Sequence, residues 1–286
     1  MRTLAPTLAL LVALAVVAAA DDERSKKVAE QKKAADKAWE SLDTVEHAAV
    51  ETKHLLVYAP KTMQARLKTI GAQLEKYHDR ASEATGLDPK EGYPGKITVY
   101  LLPGKEQLAA FARRVERRRP SAGEAGSFQA ADERLHAAAC PLPGKPPLPV
   151  EARAGERLAS LILQRRAGLR TEVPDWLVTG FGRATSYQVS PRERFVLEDR
   201  KQARVLVKKR GAADVWGGTL EAEEVDSLQG SLAEFLAYGP GRNRFGKVLD
   251  GFKPGENGQA KATAQALEEA GLTADKIARA WKGWVR

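Results

Sequence analysis

The chain has 286 residues, of which 43% are hydrophobic and 29% are charged, a composition typical of a folded globular protein. Its single cysteine, Cys140, excludes an intramolecular disulfide framework, a four-cysteine zinc site and a cysteine-ligated iron–sulfur cluster. The sequence has only four histidines, so sites built from several imidazoles are restricted as well.

The first twenty residues have the pattern of a secretory signal peptide. Arg2 precedes an apolar stretch from residue 4 to residue 17, and three alanines then lead into the acidic residues 21–23. This order predicts cleavage after Ala20 and a product exported to a periplasmic or extracellular space. A retained membrane anchor is the alternative, although the apolar stretch is shorter than the ~20 residues that span a bilayer. No transmembrane segment is expected in the rest of the chain.

The net charge is +9, and it becomes +8 when residues 1–20, whose only charged side chain is Arg2, are removed. A positive charge of this size predicts weak attraction to anionic envelope polymers. The densest basic runs, at residues 113–119 and 208–210, are expected to be solvated helix faces and ends. They lack the interleaved aromatic side chains of a single-strand nucleic-acid site, so no nucleic-acid partner is expected.

Hydrophobic spacing and turn residues predict a first half that mixes strands and helices. The expected elements are a charged N-terminal helix over 21–50, a strand at 54–58, a helix at 62–85, a strand at 96–101, a helix at 104–117 and a hairpin with arms at 126–130 and 134–140. Five prolines within residues 141–149 predict an irregular crossing loop.

The second half is predicted to be helical. The expected helices lie at 150–167, from Pro174 onward, and at 191–208, 227–238, 242–250, 259–270 and 273–285. Trp216, beside two glycines, is expected in a loop. The predicted fold class is therefore α+β, with a small mixed sheet and helices in a lobe at 51–140, a crossing loop at 141–149 and a helical lobe at 150–286.

Several stretches together resemble a known family. Residues 51–58, the helix ending at Gly86, the strand at 97–101 leading to Phe111, and the closing stretches 227–236 and 280–285 are similar to secreted peptidase-MA-like metallopeptidase domains of the gluzincin type. The resemblance covers about residues 50–286 and implies an α+β metallopeptidase scaffold.

The resemblance also implies zinc chemistry on two consecutive helices. The first helix of such domains carries H-E-x-x-H, and the second supplies a carboxylate ligand after a Trp-Leu pair. This chain has Gly155, Glu156 and Ala159 at the motif positions of the first helix and Thr179 at the ligand position of the second. Only the glutamate of the motif remains, and no histidine follows His136, so ordinary gluzincin catalysis is excluded by ligand chemistry.

We therefore expect no bound zinc and no cofactor. Glu156 is expected to be a solvated or ion-paired helix residue, so Glu156→Gln should change stability by only a few tenths of a kcal/mol, roughly the effect of a surface substitution. The helix bearing Gly155 and Ala159 should pack against the helix bearing Thr179, since small side chains permit a close approach.

The histidines suggest little chemistry at the sequence level. His136 and Cys140 could form a nucleophile–base pair only in a helix, because four residues along a strand span about 13 Å. Burial is therefore the expected role of both, and core or surface roles are expected for His54 and His78.

The favoured functional hypothesis is an exported, non-catalytic protein with a metallopeptidase-like scaffold and a binding or structural role in the cell envelope, with a protein or peptide partner that the sequence does not identify. One alternative is a hydrolase with unrecognised chemistry in the same cleft. Another is a basic protein held at the envelope by its charge, whose binding would collapse at high salt.

Overall fold

The structure is a computed structural model that describes residues 5–42, 46–142, 148–255 and 259–285, with side chains described from residue 23 onward except at positions 90 and 91. The predicted α+β class is confirmed, with a mixed sheet in the N-terminal half and helices in the C-terminal half. The described strands are β1 His47–Glu51, β2 Leu55–Pro60, β3 Ile97–Leu101, β4 Gly126–Gln129 and β5 His136–Ala139.

Ten of the twelve described helices overlap a helix that the sequence predicts, and two short helices, at 89–92 and 212–217, were not predicted. They are α1 Ala5–Glu40, α2 Gln64–Thr85, α3 Pro89–Gly92, α4 Lys105–Arg114, α5 Val150–Ala167, α6 Asp175–Val189, α7 Arg194–Leu206, α8 Ala212–Gly217, α9 Ala222–Ala237, α10 Arg242–Gly251, α11 Thr263–Glu269 and α12 Ala274–Trp284. Two short 3-10 turns occupy 61–63 and 132–134.

The strands form one sheet in the order β1-β2-β3-β5-β4. The three central strands β2, β3 and β5 are parallel, and the two outer strands pair antiparallel with their neighbours. Helix α2 connects β2 to β3. The predicted hairpin is confirmed as β4 and β5.

Successive side chains of a strand point to opposite faces of the sheet. Both faces of this sheet are covered by helices. Leu55, Val57 and Val99 point into the core shared with the C-terminal helices. The alternate residues point to the other face, where they pack against Trp39 of α1 and Phe111 of α4. The sheet therefore separates α1 and α4 from the helical lobe.

The expectation of a helix over 21–50 is wrong at its C-terminal end. Helix α1 ends at Glu40, and His47–Glu51 is an outer strand whose Val50 lies opposite Val57 of β2. The apolar residues that favour the helix stop at Leu42, and β2 supplies the backbone hydrogen-bond partners that make residues 47–51 a strand. Residues 43–45 lie outside the described ranges.

Trp216 is the second correction. It lies on the short helix α8, half-buried, with its ring centroid 6.2 Å from that of Trp176 on α6. Packing against the indole of Trp176 stabilises α8. In the sequence, Gly217 and Gly218 after Trp216 favour a loop instead.

Two expected segments fall partly outside the described residues. The backbone of residues 5–20 belongs to α1, but residues 1–4 and the side chains of 5–22 are not described, and residues 143–147 of the crossing loop are also outside. Among the described residues, no helix combines the length and the apolar character needed to cross a membrane.

Candidate functional site

Helix α5, which bears Gly155 and Ala159, packs against helix α6, which bears Thr179, as expected. Ser160 on α5 donates a hydrogen bond to the carbonyl oxygen of Glu156 at 3.0 Å and can donate to that of Val178 on α6 at 2.8 Å. A Cβ atom at Gly182 of α6 would lie 2.6 Å from the carbonyl oxygen of Glu156, closer than real Cβ atoms approach. Glycine at 182 is therefore required for the observed contact between α5 and α6.

An aromatic ring lies against Gly155, the residue that the resemblance aligns with a first zinc ligand. A Cβ atom at Gly155 would lie 2.6 Å from the ring of Tyr77, which reaches it from α2. Ala159 is fully buried in the main core, and Thr179 is half-buried on α6. A glycine, an alanine and a threonine offer no imidazole or carboxylate here, so these residues do not fit a zinc ion.

Glu156 is buried, with 7% of its surface exposed. The expectation of a solvated glutamate is therefore wrong. Its Oε1 accepts hydrogen bonds from Arg183 Nη1 at 2.9 Å and from Ser186 Oγ at 3.2 Å. Arg183 and Ser186 lie three residues apart and so share one face of α6. The ion-paired form of the expectation agrees with the structure, and the expected near-neutral effect of Glu156→Gln has to be revised.

Arg183 is the centre of a wider network. Its Nε donates to Asp199 Oδ2 of α7 at 2.5 Å, and the hydroxyl of Tyr187 donates to the same oxygen at 2.8 Å. The hydroxyl of Tyr77 lies 3.2 Å from Ser186 Oγ. One connected set of polar groups, which we call the Arg183 network, thus joins α2, α5, α6 and α7.

The network keeps its arginine charged and its tyrosine protonated. Burial alone would lower the pKa of Arg183, but the charge of Glu156 and the hydrogen bond and charge of Asp199 outweigh it, and the pKa lies above its ordinary value. Burial and the charge of Asp199 raise the pKa of Tyr187 well above its usual range. Arg183 therefore contributes a positive charge and Tyr187 a hydroxyl donor to the network.

A different part of the chain has the side chains to bind a metal. His54, directly before β2, lies beside Glu75, His78 and Asp79 of α2, and one donor atom from each lies within 4.8 Å of every other. The sequence pattern predicts separate core or surface roles for His54 and His78 and does not predict this cluster. The feature of the sequence that indicates the cluster is the spacing of Glu75, His78 and Asp79, because residues i, i+3 and i+4 lie close together on a helix.

His136 and Cys140 do not form a catalytic pair. His136 lies in β5, and its Nε2 is 3.2 Å from Glu116 Oε1. Burial raises the pKa of the Cys140 thiol, which disfavours the reactive thiolate. Both residues are buried, as the strand pattern predicts.

No protein-family model, curated protein or solved structure matches this chain. The interpretation of the site therefore depends on its own geometry.

We expect Glu156→Gln to lower the free energy of unfolding by about 3 kcal/mol, because removing one partner of a buried ion pair leaves the other charge poorly compensated. Chemical denaturation followed by circular dichroism measures this change.

Glu151→Gln is the matched control on the same helix. Glu151 pairs at 2.8 Å with Arg66, whose side chain is exposed, so its loss should cost no more than about 1 kcal/mol. Equal, small effects of the two substitutions would contradict a structural role for the buried pair.

Proposed function

We propose that this chain is an exported, non-catalytic metallopeptidase-like protein with a binding or structural role in the cell envelope. The observation that carries the proposal is the position of the Arg183 guanidinium between Glu156 and Asp199. It lies at the helix pair where the resemblance would require a zinc ion.

A guanidinium can take over one task of a metal ion and not the other. It neutralises buried carboxylates and fixes their orientation through directional hydrogen bonds. It has no open coordination position at which to bind and acidify a water molecule, which is the step that makes a zinc peptidase active. With Oε1 of Glu156 already accepting from Arg183 and Ser186, the remaining glutamate of the motif serves the fold.

Tyr77, whose ring lies beside Gly155, also supports a non-catalytic role. Its ring lies where the side chain of a first zinc ligand would begin, and its pKa is raised by burial, so it stays neutral. Restoring a histidine at 155 would require α2 to move away from α5.

The helical lobe has a surface that suits the binding of a partner. A cavity of about 270 Å³ between α7, α9 and α12 is lined by Arg200, Arg204, Glu234 and Trp284 among others. Cationic and aromatic side chains of this kind suit a partner that combines acidic and apolar groups. This fits a protein or peptide partner, and the net positive charge adds weak attraction to anionic envelope polymers.

Export is tested by expressing the full sequence in a bacterial host and measuring the intact mass of the protein in the periplasmic fraction. We expect a chain that lacks residues 1–20 and begins at Asp21, because the pattern of this segment favours cleavage after Ala20. A full-length chain found only in the cytoplasm would contradict the proposal of export.

The non-catalytic character is tested by incubating the purified protein with an unfolded protein substrate, with and without added zinc. We expect no hydrolysis above that of a boiled sample, since Gly155, Ala159 and Thr179 offer no imidazole or carboxylate to hold a zinc ion that would activate water beside Glu156. Hydrolysis that disappears in a folded Glu156→Gln variant and persists in Glu151→Gln would overturn the proposal and favour a hydrolase in the same cleft.

A further inference from the structure

The four side chains His54, Glu75, His78 and Asp79, which we call the two-histidine cluster, lie at the junction of β2 and α2. His54 and His78 are buried with their rings stacked at a centroid distance of 4.1 Å. Glu75 is half-buried beneath them, and the Asp79 side chain is 66% exposed at the mouth of the cluster.

We propose that the two-histidine cluster binds one divalent transition-metal ion of the zinc type, with nitrogen ligands from His54 and His78 and oxygen ligands from Glu75 and Asp79. This site is separate from the Arg183 network and does not depend on the proposed function. It replaces the expectation, drawn from the peptidase motif alone, that the protein holds no metal.

The distances between the donor atoms suit such an ion. In a four-coordinate zinc site with bonds of about 2.0–2.1 Å, neighbouring donor atoms lie about 3.3–3.4 Å apart. Here His54 Nδ1 lies 2.8 Å from Glu75 Oε2 and 4.0 Å from Asp79 Oδ1. His78 Nδ1 lies 3.2 Å from Asp79 Oδ1. Small side-chain rotations, which the exposed Asp79 permits, bring the set to coordination distance.

Outer hydrogen bonds orient the two α2 ligands Glu75 and His78. Glu75 Oε1 accepts from Thr52 Oγ1 at 2.5 Å and from the backbone N–H of His54 at 2.7 Å, and Oε2 accepts from His54 Nδ1 at 2.8 Å. His78 Nε2 lies 2.6 Å from the hydroxyl of Tyr93, and its Nδ1 is hydrogen-bonded to Asp79 Oδ1 at 3.2 Å. Partners of this kind commonly orient metal-binding histidines and carboxylates. A bound metal ion would take the place of the two Nδ1 protons.

The charge balance of the cluster favours a cation. Among the described residues, Glu75 and Asp79 form ion pairs only with the two histidines. Two stacked imidazoles cannot both be charged without strong repulsion, whereas a divalent ion satisfies both carboxylates at once.

A second buried histidine–carboxylate pair, His136 and Glu116, differs from the two-histidine cluster in its charge compensation. His136 also contacts a buried glutamate, Glu116, but Arg118 lies 2.7 Å from Glu116 Oε2 and already supplies a permanent cation. Within the described ranges no arginine forms an ion pair with the two-histidine cluster, which is why it is the candidate for a metal ion.

Metal binding is tested by stripping the purified full chain with a chelator and titrating it with Co²⁺, whose visible absorption reports coordination, followed by displacement with Zn²⁺. We expect one ion per chain and a higher melting temperature with Zn²⁺, since a ligand that binds only the folded state stabilises it. Tyr93→Phe, which removes the outer partner of His78, should weaken binding by about 10–100-fold. Asp79→Asn should weaken it at least as much.

Glu83→Gln is the control, because Glu83 is an exposed carboxylate one turn further along α2 that pairs only with Arg80 among the described residues. It should bind the metal as tightly as the parent chain, and circular dichroism should show all three variants folded. A parent chain that binds neither ion stoichiometrically would overturn the proposal, as would Asp79→Asn and Tyr93→Phe variants of unchanged affinity. Either result leaves the hydrolysis and export tests unaffected.

Discussion

The helical lobe depends on how a buried positive charge, Arg183, is compensated. A guanidinium removed from water carries a desolvation cost of several kcal/mol, which is offset only if its hydrogen bonds and charge are well matched. Glu156 and Asp199 provide this match from two other helices, at 2.9 and 2.5 Å. Because the three partners lie on α5, α6 and α7, compensating the charge fixes how these helices pack. The small residues Gly155 and Gly182 follow from the same constraint, since they let α2, α5 and α6 approach closely enough for the network to form.

The sequence predicted the parts of the fold that depend on local pattern. The 3.6-residue spacing of apolar residues placed α5 at 150–167, which is the observed range, and four of the five described strands were predicted with small boundary errors. Strand β1 was missed because its identity depends on pairing with β2 and not on its own five residues. The burial of Glu156 was missed for the same reason, since its partner Arg183 is 27 residues away.

One electrostatic rule describes three carboxylates of the described residues. A carboxylate that is withdrawn from water requires a cation close by. Glu156 has Arg183, and Glu116 has Arg118 with His136. Among the described residues, Glu75 is ion-paired only with His54, which carries a full charge only when protonated, and this is where we propose a metal ion. The H-E-x-x-H pattern does not describe this cluster, because His54 precedes β2 and its partners lie on the following helix.

The most direct test of the central claim is a double-mutant cycle between Glu156 and Arg183, measured by urea unfolding of the parent, Glu156→Gln, Arg183→Met and the double variant. If the buried ion pair organises the helical lobe, the two substitutions should be strongly non-additive, with a coupling free energy of about 2 kcal/mol. The double variant should then be clearly more stable than the sum of the single effects indicates. Effects that add to within about 0.5 kcal/mol would contradict the account.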